Sequence, residues 1–241
     1  MNANINISDM LSYLIQGVPI TLEVSALALL LMLVTALVLA LGRMSSLALF
    51  RWSAGFIIEL FRGTSALVQL FWAFYVLPFF GITLTPMQAG VLVLGLCEGA
   101  YFSEVVRAAL TSVLRGQRDA IVSLHLPRIY AFFRITLPQA LPLMIPPFGN
   151  AAVGMIKFSA LVSLVTLQDV TFRSNALHTS TGESFTVYSA AMIVYLAICL
   201  TTGGAVLLLE RYVNMRTGRN PVKRKLFEPS APAIPSWAFG R

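Results

Sequence analysis

The chain has 241 residues, of which 57% are hydrophobic and 11% charged, with a formal net charge of +7. A soluble domain carries about 25% charged residues, so this composition excludes one and indicates a polytopic, all-α integral membrane protein. Cys97 and Cys199 sit inside apolar runs and read as small core residues rather than a disulfide or a metal site, and His125 and His178 are too few and too far apart for one.

The first Lys or Arg is Arg43. The basic start of a cleavable signal is therefore missing, and the apolar run before Arg43 is expected to be retained as a span. Residues 1–16 are expected as an extracytoplasmic segment and 17–212 as the transmembrane domain. A crossing takes about 20 mostly apolar residues. Five runs qualify: Ile20–Leu41; Thr64–Phe80, preceded by an amphipathic stretch Ser46–Phe61; Met87–Leu110; a run starting after Pro142 and ending near Leu167; and Phe185–Leu209. Arg62-Gly63-Thr64 is expected at the cytoplasmic entry of the second run, where Gly63 permits a sharp break. Pro138, Pro142, Pro146 and Pro147 predict an irregular start to the fourth.

The basic residues are one-sided. Arg43, Arg51 and Arg62 precede the second run, Arg107 to Arg134 cluster between the third and fourth, and a basic group follows the fifth, whereas the opposite connections carry only Arg173. By the positive-inside rule the N-terminus is outside and the C-terminus cytoplasmic. This also accounts for the net charge without a nucleic-acid partner. Residues 213–241 are expected as a basic, then Pro-rich cytoplasmic tail, whose basic cluster serves either as the positive-inside anchor of the fifth run or as a contact with anionic membrane lipid.

Ionisable residues within apolar runs need protein or water around them. Glu98 and Lys157 are both expected near mid-depth, either as a buried ion pair or as groups lining a solute path. Glu104 and Arg107 are three apart near the cytoplasmic end, which is a structural spacing.

The long loop between the third and fourth runs, about 111–140, carries a frame: Asp119-Ala120-Ile121, Val122-Ser123-Leu124, His125, nine residues, then Ile135-Thr136-Leu137-Pro138. It resembles the segment through which ABC importer permeases engage their ATPase, with His125 where that family has glycine. Gly17-Val-Pro-Ile-Thr-Leu-Glu23, Glu59-Leu-Phe-Arg-Gly-Thr-Ser65, Ala100-Tyr101 with Glu104 and Arg107, Leu137-Pro-Gln-Ala140 and Lys157-x-Ser-x-Leu161 are similar to the polar amino acid uptake permeases over about residues 10–212. Three short strings, RGTSALVQLFW, IPPFGN and LVSLVTLQDVTF, look most like ectoine and hydroxyectoine permeases.

The resemblance implies a type I ABC importer permease of the bacterial inner membrane, with five transmembrane helices and a cytoplasmic coupling helix, importing a small zwitterionic solute. It implies an ATPase dimer, a second permease (homologous or identical) and an extracytoplasmic solute-binding protein as partners. Asp119, Ala120, Ser123, Leu124, His125 and Leu126 would make the ATPase contact, Asp119 near the start of a helix and His125 in a left-handed turn at its end. Arg62, Gly63, Thr64, Glu104 and Pro138 would be structural signature residues. The chain has no Gly-x-x-x-x-Gly-Lys-Ser/Thr loop, so ATP and Mg belong to the partner and no cofactor or metal is expected here. A self-sufficient secondary transporter would show paired internal repeats, which are absent. A non-transporting assembly protein would not need charges within its spans.

Overall fold

The computed structural model describes residues 7–113 and 115–216, and every regular element among them is helical. In chain order these are α1 (Ile7–Ile15), α2 (Val18–Arg43), α3 (Ala48–Gly63), α4 (Ala66–Phe71), α5 (Pro86–Thr111), α6 (Arg115–Ser123), α7 (Arg128–Ala131), α8 (Leu137–Ser159), α9 (Val170–Thr181) and α10 (Ser184–Arg216). The tail beyond residue 216 lies outside the described residues, and 213–216 complete α10.

Four helical stretches are long and apolar enough to cross a membrane: Ser8–Arg43, Pro86–Thr111, Ile129–Val165 and Ser184–Val213. A fifth crossing is a helix pair, Ala48–Gly63 with Ala66–Phe80, bent by 101°. Packing shows why that pair must cross. Gly95 of α5 lies against Leu31 of α2, and Gly99 against Thr35 and the Met32 carbonyl. Both numbers rise together, so α2 and α5 run side by side in the same direction. The chain between them has to return to its starting side. The two glycines allow the close approach, since a Cβ at either would sit 2.7 to 2.8 Å from an α2 side chain.

α8 runs antiparallel to α5, with Gly90 beside Val162 and Phe102 beside Phe148. α10 pairs with α8, with Gly149 against Val206. The bundle thus has two ends. Gly17, Thr85, Val165 and Ser184 mark one, and Arg43, Thr111, Ile129 and Arg211 the other. The short α9 closes the first end. Thr85 opens α5 there with a capping box, its hydroxyl accepting from Gln88 N–H and the Gln88 side chain accepting from Thr85 N–H. Of the arginines that the charge pattern grouped together, Arg43, Arg107, Arg134 and Arg211 fall toward the second end, and Arg62 does not.

Two expectations need correcting. The fourth crossing does not begin after Pro142. Its helix is continuous from Ile129, and α8 holds Pro142, Pro146 and Pro147 inside it. The irregularity lies upstream, in a π-helical turn Phe132–Thr136 just before Pro138. The wider turn makes room for a proline that can donate no hydrogen bond to the preceding turn. Nor does the break in the second crossing depend on Gly63. A Cβ there would meet nothing within 4 Å, and the turn is made by extended Thr64 (φ −119°, ψ 151°) and Ser65 (φ −69°, ψ 130°).

Candidate solute path and coupling segment

The broken crossing brings its break to the middle of the bundle. Gln69 Nε2 straps the bend, donating to the Phe61 carbonyl at 3.0 Å and to Thr64 Oγ1 at 2.6 Å. Tyr101 Oη donates to the Arg62 carbonyl at 3.2 Å. Cys97 Sγ lies 3.8 Å from the Phe61 carbonyl, and Cys97 and Tyr101 both belong to the central part of α5, so Arg62-Gly63-Thr64 lies at mid-depth and not at the entry of a span. α3 is the first half of the crossing. Irregular backbone at that depth is tolerated where protein or a cavity covers it.

The Arg62 guanidinium stands 5.3 Å from the Tyr101 ring centroid and 3.7 Å from Glu59 Oε1. Tyr101 also lines a groove of about 380 Å³ between α5 and α8, with Glu98, Asn150, Gly154 and Phe158 among others. Glu98 sits at the midpoint of α5 and is half-buried. An acid and a guanidinium therefore both neighbour one tyrosine at the level of a broken helix, with Glu59 beside the guanidinium.

Lys157 is not the partner of Glu98. It lines a different groove, of about 540 Å³, between α8 and α10, with Val153, Met192, Tyr195, Leu196 and Cys199. Positions 154 and 158 face α5 while 153 and 157 face α10, because successive residues turn by about 100° around a helix. Tyr195, in the Lys157 groove, donates its hydroxyl to Asp169, the N-cap of α9, at 3.1 Å. Lys157 therefore lies toward the α9 end, and among the described residues it has no ion-pair partner. Glu104 and Arg107 do pair, at 2.7 Å.

The coupling frame forms a helix ended by a left-handed residue. His125 has φ 51°. Leu126 N–H donates to the Ile121 carbonyl at 3.1 Å and His125 N–H to the Val122 carbonyl at 3.0 Å. This pair of bonds is the Schellman closure, with His125 in the position usually held by glycine and Pro127 following. Asp119 does not open the helix as expected. α6 begins at Arg115, so Asp119 is its fifth residue and there is no acid in the first turn. Ala120 and Ser123 are exposed, as are Val122 and Leu124 at 73% and 69%, while Leu126 is partly covered. The Gln139 amide donates to the Gln117 side chain and ties α6 to α8. Pro138 follows the π turn at the start of α8.

Sequence reasoning passed over Gln69, Asp169 and Tyr195. Only Asp169 carried a signal, an acid placed one residue ahead of a helix, which is an N-cap pattern.

The family described as binding-protein-dependent transport system inner membrane component matches residues 6–215. The chain belongs to this family. It is a multi-pass permease, the non-catalytic membrane component of such a system. It is 36% identical over 216 residues to a protein of Sinorhizobium fredii (strain NBRC 101917 / NGR234) named as a probable amino-acid ABC transporter permease, covering 87% of this chain and 91% of that one. It is 32% identical over 196 residues to the L-cystine transport system permease protein TcyB of Bacillus subtilis (strain 168), covering 81% and 84%. A solved structure described as an amino acid ABC transporter with histidines superposes with a TM-score of 0.78 at 31% identity, over 87% of this permease and 99% of that chain.

Proposed function

We propose that this permease imports a small zwitterion of the amino-acid class, driven by a partner ATPase dimer, with a second permease completing the path and a binding protein delivering solute at the α9 end. The observation that carries the reading is the Tyr101 environment. Glu98 would receive the solute ammonium and Arg62 its carboxylate, each being a neighbour of Tyr101. Ionisable groups at mid-depth are costly in a bilayer; Glu59 offsets part of the Arg62 charge, and a zwitterion is the ligand that would complement Glu98 and Arg62 together. Relatives named for amino acids and for L-cystine support that solute class. The finer expectation, ectoine or hydroxyectoine, rests on three short strings alone.

The α6 to Leu126 segment would dock on the ATPase. Its exposed Val122 and Leu124, on a helix closed by a fixed turn, supply a rigid apolar contact at the basic end of the bundle. That end is cytoplasmic in this reading, by the one-sided arginines.

The test is reconstitution in proteoliposomes with its partner ATPase dimer and solute-binding protein, with uptake of labelled L-cystine, a basic and a neutral amino acid, and ectoine. Uptake that needs ATP on the ATPase side supports the reading. Uptake by the permease alone, driven by an ion gradient, contradicts it.

A further inference from the structure

We propose that Tyr195 is the latch of the α9 end: opening the α8–α10 groove beside Lys157 breaks its bond to Asp169 and frees α9. The proposal rests on the importer reading for the cycle that opens the groove.

Asp169 is fully buried. Capping α9 needs only an oxygen for the Phe172 N–H, which it accepts at 2.8 Å, and Ser, Thr or Asn would serve as well without a charge. No cation pairs with the carboxylate among the described residues. A buried acid of this kind stands on its hydrogen bonds alone. Tyr195 Oη is its one side-chain donor among the described residues, at 3.1 Å, and lies 2.8 Å from Thr171 Oγ1. The ring of the same residue is a wall of the groove that holds Lys157. Tyr195 belongs to the α10 wall, whereas Asp169 follows the α8 wall after a short 3-10 turn, so separating the walls pulls on this bond.

α9 is held on its other side by the first crossing. A Cβ on Gly17 would stand 2.6 Å from Val170 N, so the two backbones touch. Val170 N–H reaches Thr21 Oγ1 at 3.4 Å, and Arg173 donates to Gln16 at 3.1 Å while stacking 4.9 Å from the Tyr13 ring. α9 thus spans the ends of α2 and α10, and the Tyr195 hydroxyl, bonded to Asp169 and to Thr171, is the tie that answers to the groove. Another tie between α9 and α10, Tyr188 Oη to Asn175 Oδ1 at 3.0 Å, is exposed and outside the groove, which makes it the control.

The experiment is hydrogen exchange of the Val170–Thr181 amides, in nanodiscs, on the permease bound to its ATPase, before and after trapping with Mg-ATP and vanadate. In the wild type, trapping should raise α9 exchange. Tyr195→Phe should exchange on the order of tenfold faster before trapping, the loss expected for a hydrogen bond to a carboxylate, and should show little further rise. Asp169→Asn keeps the cap and should fall between the two. Tyr188→Phe should respond to trapping like the wild type. The proposal is overturned if trapping leaves wild-type α9 unchanged, if Tyr195→Phe matches the wild type, or if Tyr188→Phe behaves as Tyr195→Phe does. A permease that never associates with the ATPase refutes the importer reading instead, and the Tyr195 and Tyr188 variants still differ in the isolated protein if the latch is present.

Discussion

The Arg62 guanidinium lies 5.3 Å from the centre of the Tyr101 ring, and the Tyr101 hydroxyl returns a hydrogen bond to the Arg62 carbonyl at 3.2 Å. Residues far apart in sequence thereby fix a cation at the break of a crossing, beside the groove of Glu98. If that cation meets the solute, Arg62→Gln should lower uptake at least tenfold with normal insertion. Arg62→Lys should recover part of it, because the charge survives while the planar stacking does not. Initial uptake rates at matched expression decide. Equal uptake by Arg62→Gln and wild type would contradict the assignment.

Glu98 and Lys157 occupy separate grooves, so their substitutions should combine without coupling. In a cycle of Glu98→Gln, Lys157→Met and the double variant, effects on uptake and on thermal stability should add to within about 0.5 kcal/mol. A coupling energy above about 1 kcal/mol would mean that the two meet during transport.

His125 holds a left-handed turn that glycine adopts freely. His125→Gly should leave coupled ATP hydrolysis within about twofold of wild type. His125→Val should be harmful, because a β-branched side chain resists that backbone conformation by about 1–3 kcal/mol. Solute-stimulated ATP hydrolysis by the assembled transporter measures both.

Burial pushes the Asp169 carboxyl above the usual carboxylate range, against the opposing pull of its hydrogen bonds from Phe172 N–H and Tyr195. The unfolded value is about 3.9. With the folded value raised, the folded state binds the extra proton between the two. Stability therefore falls as pH rises through the folded-state pKa. The melting temperature of the wild type relative to Asp169→Asn should drop with rising pH over that window. A difference independent of pH would contradict the buried placement.

Much of this architecture was legible in the residues. Apolar runs of bilayer length gave the crossings, and the one-sided arginines grouped the span ends that the fold brings together. The left-handed turn at His125 followed from its place in the loop frame. The position of Arg62-Gly63-Thr64 did not follow, because a hydropathy run cannot tell a span preceded by a surface helix from a span bent by 101° at its middle. The Glu98–Lys157 pairing failed for a related reason. Depth was inferred from distance along each run, but facing depends on the turn of α8, where adjacent positions 157 and 158 look into different grooves. Tyr195 meets Asp169 from 26 residues away, a contact no local pattern encodes.

The most direct test of the whole account is Ala120→Arg in the assembled transporter. Ala120 is exposed on α6, where a bulky charge disturbs no packing within the permease. The variant should insert normally and keep its melting temperature, yet no longer co-purify with the ATPase or support ATP-driven uptake. Full uptake at normal expression would show that α6 is not the coupling surface, and would contradict the central claim.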